Sequence, residues 1–454
     1  MVSAATVRGD EKPEAMITGE FATDTAALRE HTERGEDLLA ALPAKAQRSK
    51  TQQAAVEHAH HGSRRLRARF MTVHAERVYA ELTDGYANRP RIAELATSAG
   101  GRFPGLVPDR AQLATEFALS QEHKEGREID QAILFAQFLR QPTVGAHLIE
   151  SMLRPTPRAL ALSADFHRLG ELDLGSVRIE RRAGIAHLTI CNVHCLNAED
   201  NALTEDLETA VDLALLDDGV RVGVLRGATM THPRYAGRRV FSAGINLKHL
   251  RQGKISYVDF LLRRELGFIH KLWRGLAVED TSRIWPQQTL EKPWVAAVDT
   301  FAIGGGAQLL AVCDRVVAGS DAYFSVPAAR EGIVPGAANL RLGRSTGGRL
   351  ARRVLLGDRR IHADEPDARL VFDDIVDPGE VGDAAERAAT QLDSPAVTAN
   401  RHMLNLAEEP IDRFRVYMGE FALTQAIRLY STDVLAKVAG AWSGNADGTG
   451  GDPR

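Results

Sequence analysis

Three consecutive glycines in Phe301-Ala-Ile-Gly-Gly-Gly-Ala-Gln-Leu-Leu310 follow an apolar, strand-like run and open straight into an apolar, helix-like one. Glycine lets a ligand approach the main chain closely, and the bare N–H groups of a helix N-terminus favour negative charge there. About sixty residues upstream, Phe241-Ser-Ala-Gly-Ile-Asn-Leu247 offers a second small-residue turn. Two such turns can aim two N–H donors at one oxygen, which is the outline of an oxyanion hole. A cation adds to the picture. Phe260, Arg264, Phe268 and Leu272 recur at i, i+4 spacing, so one helix would carry Arg264 on an apolar stripe. A buried guanidinium needs a partner, either a hydroxyl or phenolate on a ligand or a carboxylate of the protein.

The order of five motifs resembles the crotonase (enoyl-CoA hydratase/isomerase) superfamily: Phe241-Ser-Ala-Gly-Ile-Asn-Leu, Lys292-Pro-Trp-Val-Ala-Ala-Val-Asp, the triple glycine, Cys313-Asp-Arg and Val334-Pro-Gly336. The likeness covers roughly residues 175 to 345 and continues more weakly into the C-terminal helices. It implies a thioester carbonyl held by the N–H groups of Ile245 and Gly305, and a thioester enolate stabilised there. It also implies that Arg264 meets the substrate rather than a carboxylate of the protein, and that Glu199 borders the acyl pocket, where the alternative is a solvated residue near a helix N-terminus. Arg239 and Lys248 match basic positions that meet CoA phosphates, and surface solubility would also account for both.

Enoyl-CoA hydratases place one glutamate two residues after the glycines and another just after a proline in a later turn. Here those positions hold Gln308 and Ala328. An amide is no general base near neutral pH and alanine has no titratable group, so hydration is not expected. Glu331, three residues on, aligns with a non-catalytic position and reads as structural. What remains suits a substrate whose α-hydrogen is already acidic, such as an arylacetyl thioester, whose carbanion is electron-rich enough to reduce O2 directly. One group in the superfamily, the cofactor-independent arylacetyl-CoA dioxygenases, resembles the chain in its glutamine-for-glutamate change and its long helical N-terminal region. That likeness implies conversion of (3,5-dihydroxyphenyl)acetyl-CoA and O2 to 3,5-dihydroxyphenylglyoxylate and CoA, a step toward dihydroxyphenylglycine and glycopeptide antibiotics. Gln308 would then bond the acyl group or position oxygen. No metal or flavin is called for. A crotonase-type thioesterase, decarboxylase or isomerase, or a non-catalytic acyl-CoA-binding protein, is the competing reading.

The elements that must position these residues fall into three stretches. Residues 1–172 read as a helical N-terminal domain, with helices over residues 24–83 broken at Pro43 and a further break at Leu153-Arg-Pro-Thr-Pro-Arg158. Residues 173–365 repeat β-then-α units with apolar strands at Val177, Ile185, Arg221, Trp294 and Arg315, which is α/β in class; the spiral of ββα units is what the resemblance adds. Residues 366–454 read as a helical oligomerisation region whose final helix runs from Phe421 to Trp442 before a frayed tail at Asn445. The likeness implies a homotrimer or hexamer.

Composition narrows the partners. A formal net charge of −4 across 454 residues gives no global field for nucleic acid or an anionic membrane. The first twenty residues lack an apolar core of signal-peptide type, so a soluble cytoplasmic protein is expected. Cys191, Cys195 and Cys313 do not form a disulfide framework, and the Cys191/His194/Cys195 group reads as a buried strand end rather than a metal site. His58, His60 and His61 read as a solvated helix face. Gly343-Arg-Ser-Thr-Gly347 has the spelling of a nucleophile elbow but the surroundings of a helix.

Overall fold

Alternation in residues 177–190 closes into a hairpin, because Ala183 and Gly184 both take positive φ and return the chain on itself. In the computed structural model, which describes residues 17–278 and 289–443, that hairpin begins the main sheet. Its strands are β1 (Glu171–Asp173), β2 (Val177–Arg182), β3 (Ile185–Ile190), β4 (Val222–Gly227), then β7 (Trp294–Val298), β9 (Arg315–Gly319) and β12 (Asp374–Val376), in that spatial order. β1 to β3 pair antiparallel and β3 to β12 pair parallel. The remaining strands are a small pair, β5 (Leu276–Ala277) with β6 (Thr289–Leu290), and a short second sheet in which β10 (Tyr323–Ser325) pairs with β8 (Phe301–Ile303) and β11 (Ile361–His362).

Period two sorts the strand side chains onto two faces. Leu188, Leu225, Ala296 and Val316 face one cluster with helices Asn201–Leu216 and Phe268–Arg274. Val222, Val224, Val295 and Val317 face another with helix Val381–Leu392. Helix Pro157–Leu169 sends Ala159 and Phe166 into the first of these clusters.

The spiral follows from two repeats. β7, β8 and helix Gly305–Leu310 form one ββα coil, and β9, β10 and helix Ala328–Glu331 form the next. Ser242 bridges Ala302 in parallel register, and Ala302 pairs with Phe324, so three successive coils lie side by side.

A third apolar cluster joins the N-terminal helices to the coils. Helices Lys50–Leu82, Glu128–Arg140 and Pro142–Leu153 meet helix Ile411–Leu429 and the segment around Tyr257 and Phe260. Glu128 fastens it, accepting the Tyr257 N–H at 2.8 Å and the Tyr430 hydroxyl. A wholly buried ion cluster does the same elsewhere: Lys271 meets Glu208 at 2.9 Å and Asp212 at 2.7 Å, and Glu208 also receives Arg91 and Arg263.

Several expectations change. The expected single stripe helix is a π-turn (Tyr257–Leu262), a short helix Arg263–Leu266 and helix Phe268–Arg274, broken at Gly267. The expected last helix is two, Ile411–Leu429 and Thr432–Ser443, and the tail from Asn445 lies outside the described residues. His60 is half-buried beside Glu125 at 3.4 Å rather than solvated. The Gly343–Gly347 segment is helical, with a kink at Gly347.

Candidate active site

The first turn is built by a strap, residues 197–199, laid beside residues 242–246. Ser242 Oγ donates to the Asn197 carbonyl at 2.9 Å and accepts the Gly244 N–H at 3.1 Å. The Glu199 N–H donates to the Gly244 carbonyl at 2.7 Å, and the Asn246 N–H to the Glu199 carbonyl at 2.8 Å. This pattern skips one donor. The Ile245 N–H meets no acceptor among the described residues.

The second turn repeats the trick on the next coil. Gly304 adopts φ +52°, which favours glycine, and its N–H is spent on the Ser325 carbonyl at 2.8 Å. Gly305 is the first residue of its helix, so its N–H lies outside the helical ladder and is likewise uncommitted among the described residues. The two turns touch, because a Cβ on Gly244 would sit 3.1 Å from the Gly305 nitrogen. Both uncommitted donors therefore edge one cavity, which Phe260 and Phe421 from the helical cluster also line. Its space of about 70 Å³ has room for a few water-sized molecules.

Arg264 lines the same cavity and is 4% exposed. Its five N–H groups have five acceptors. Nε donates to Glu199 Oε2 and Nη2 to Glu199 Oε1 at 3.3 Å. Nη1 donates to Glu265 Oε1 at 2.8 Å and to Gln308 Oε1 at 2.9 Å, and Nη2 also reaches the Gly305 carbonyl at 2.7 Å. Burial works against the charged guanidinium, but Glu199 and Glu265 more than offset it and hold its pKa above the ordinary arginine value. Of the two alternatives for Arg264, the protein carboxylate is the partner present; no N–H is left over for a ring hydroxyl. Glu199 is not solvated: it is 2% exposed and its carboxylate lies where a Cβ on Gly305 would be 2.6 Å from it. Gln308 gives its carbonyl oxygen to Arg264, and its amide nitrogen donates to no described residue.

Ile245, Gly305, Gln308, Glu199 and Arg264 thus share one cavity, with Ala328 beside them. Arg239 and Lys248 do not line it. Arg239 is half-buried and donates to the Gly227 carbonyl at 3.0 Å, and Lys248 is exposed on helix Leu247–Arg251. The thiols of Cys191 and Cys195 rest on backbone carbonyls, and burial pushes both up.

A profile of the enoyl-CoA hydratase/isomerase family matches residues 180–413, just over half of the chain. The chain belongs to this family. Its fold is the family's α/β crotonase fold with added helical regions. Among curated relatives, the chain is 55% identical to a (3,5-dihydroxyphenyl)acetyl-CoA 1,2-dioxygenase of Amycolatopsis orientalis over 93% of its own length and 96% of the relative's. It is 27% identical to a short-chain-enoyl-CoA hydratase of Clostridium acetobutylicum, over 53% of this chain and 83% of that one. A solved enoyl-CoA hydratase from Mycobacterium avium subsp. paratuberculosis K-10 overlays 59% of the chain and 99% of its own at a TM-score of 0.49 and 19% identity.

Sequence reasoning missed the cavity position of three polar residues of this crotonase-family protein. Glu265 accepts from Arg264 and, at 3.0 Å, from the Ala337 N–H; its signal was its place next to Arg264 on the Phe260–Leu272 stripe. Gln425 lines the cavity from helix Ile411–Leu429 while accepting the Val334 N–H at 2.7 Å, and nothing in its spacing announced it. Glu331, read as structural, lines the cavity too.

Proposed function

We propose that the chain is a cofactor-independent dioxygenase that takes (3,5-dihydroxyphenyl)acetyl-CoA and O2 to 3,5-dihydroxyphenylglyoxylate and CoA. The observation that carries this reading is the 55% identity to a named dioxygenase of that substrate across nearly the whole of both chains. The site's chemistry is consistent with it. Two uncommitted N–H donors on adjoining turns suit the oxygen of a thioester enolate, each contributing about 10²–10³-fold. Gln308 and Ala328 stand where hydratases need carboxyl groups, which disfavours addition of water. An arylacetyl carbanion is delocalised into ring and thioester and transfers an electron to O2 without help from a metal or flavin.

In this reading Ile245 and Gly305 hold the enolate oxygen, and Gln308 offers its amide nitrogen to the acyl group or to bound oxygen. Arg264 orients Glu199, Gln308 and the Gly305 carbonyl, and Glu199 contacts the aryl end. Arg239 and Lys248 meet the CoA phosphates outside the cavity. The helical layer of residues 17–153 backs the π-turn that closes the acyl chamber. A homotrimer or hexamer accords with Met403, Leu404, Val416 and Ile427, all at least 50% exposed on the C-terminal helices. No helix among the described residues is long and apolar enough to cross a membrane, and cytoplasmic location is part of the proposal.

An oxygen electrode tests the reaction. Chelator-treated, flavin-free protein should consume O2 with the arylacetyl-CoA and release thiol only in air. Thiol release without O2, or a strict requirement for added iron, copper or flavin, would sink it.

A further inference from the structure

The dioxygenase reading, on which this inference rests, has a proton balance to meet. Turning an arylacetyl CH2 into a ketone carbon removes both α-hydrogens as protons, so the cavity must hold a proton acceptor. Gln308 and Ala328 cannot serve. Glu199 gives both oxygens to Arg264, and Glu265 is divided between Arg264 and the Ala337 N–H. Glu331 is the remaining carboxyl on the cavity wall, and it has neither a hydrogen bond nor an ion pair with any described residue. The charges around its turn are satisfied by others. Arg330 pairs with Asp358 at 2.7 Å, Arg428 with Asp433 and the Gly332 carbonyl, and Lys437 lies 3.5 Å from the Ala329 carbonyl and 4.0 Å from Asp433. Glu331 also closes the third coil, whose strand runs beside the one that leads to Gly305.

We propose that Glu331 is the proton acceptor at the acyl α-carbon. The α C–H bond breaks, an O–H bond forms on the Glu331 carboxylate, and the electron pair left behind spreads onto the thioester oxygen, where the Ile245 and Gly305 N–H groups hold it. Nothing is oxidised in this step; the electrons pass to O2 afterwards. Glu331 is half-buried, so the proton can leave to solvent and free the carboxylate again. Burial lifts the Glu331 carboxyl to about 7, with Asp358 adding to the rise and Arg330 opposing it. A base matched to neutral pH is both ionised and strong enough to compete for the proton.

The test reads exchange of α-hydrogens with D2O in the absence of O2, using phenylacetyl-CoA and its 3,5-dihydroxy form. Glu331→Gln should slow exchange by about 10²–10⁴-fold while a CoA thioether analogue lacking the carbonyl binds as in wild type. A folded Glu331→Gln protein that binds the analogue and exchanges at the wild-type rate overturns the proposal, as does loss of exchange in Glu199→Gln but not in Glu331→Gln. If Glu331→Gln does not fold, the wild-type pH profile decides. Because the ionised form is the base and its pKa is raised, exchange should climb as pH rises through neutrality; a flat profile from about pH 5.5 to about pH 8.5 overturns the assignment. Oxygen uptake is recorded separately: its absence in wild type counts against the dioxygenase reading, while Glu331 stands or falls on the exchange ratio.

Discussion

The cavity has two walls made in different ways. One is backbone: the Gly244–Ile245 and Gly304–Gly305 turns, whose donors are free because strand pairing and a helix start leave them out. The other is side chain: Arg264 with its five acceptors, drawn from Glu199, Glu265, Gln308 and Gly305. The first is preorganised by the coil register, and the second by mutual neutralisation of buried charge. A backbone wall resists side-chain mutation but fails if its N–H is removed, whereas the side-chain wall fails as a unit.

The largest effect should come from breaking that unit. Arg264→Ala strands Glu199 and Glu265 as buried carboxylates and is expected to cost about 3–5 kcal/mol in stability, read by urea unfolding. Activity should fall equally with hydroxylated and unsubstituted phenylacetyl-CoA. A stable Arg264→Ala protein that lost only the hydroxylated substrate would mean that the guanidinium faces the ring after all.

The backbone wall is attacked at Gly305. Proline there removes the N–H, and the first turn of a helix tolerates its fixed φ. Any Cβ at this position also meets Glu199 at 2.6 Å, so Gly305→Ala, which keeps the N–H, is the needed control. Beyond whatever the alanine costs, Gly305→Pro should lose about 10²–10³-fold in both turnover and anaerobic α-hydrogen exchange. Equal rates in the two variants would place the oxyanion donors elsewhere.

This contrast also explains what could be read from sequence. Glycine spacing encodes backbone geometry locally, so the Phe241–Leu247 and Phe301–Leu310 turns were legible, as were the strands near Val177, Ile185, Arg221, Trp294 and Arg315, whereas β12, the last strand of the main sheet, lies in the stretch 366–454 that reads as helical. Partner choice is not local. Arg264 meets Glu199 across 65 residues and Gln308 across 44, and periodicity shows only that the arginine is buried. The break at Gly267 was hidden because the apolar positions on either side of it stay buried whether or not the helix continues. Glu331 was discounted by alignment to a family position, and its isolation among paired neighbours emerges only from the packing of residues 328–336 against the last two helices.

Within the side-chain wall, Gln308→Ala should be milder than Arg264→Ala, because Nη1 keeps Glu265 when it loses the amide oxygen. Loss of one buried bond to a charged donor is expected to cost about 1–3 kcal/mol. A larger loss than Arg264→Ala produces would make glutamine, not arginine, the centre of the cluster.

The smallest effect tests whether function extends beyond both walls. Lys248 is exposed and lies on the short helix that leaves the first turn, outside the cavity. A lysine meeting phosphate in open solvent contributes little and is screened by salt. Lys248→Ala should therefore raise KM for the CoA substrate by a few-fold, on the order of 1 kcal/mol or less, and leave kcat unchanged, because the reacting carbonyl is held by backbone that the substitution does not touch. The KM difference should shrink toward nothing in about 1 M salt, where the screening length is about 3 Å. A fall in kcat at saturating substrate would mean that CoA anchoring is coupled to the oxyanion turn through Leu247 and Asn246, and the two walls would then no longer bound the machinery.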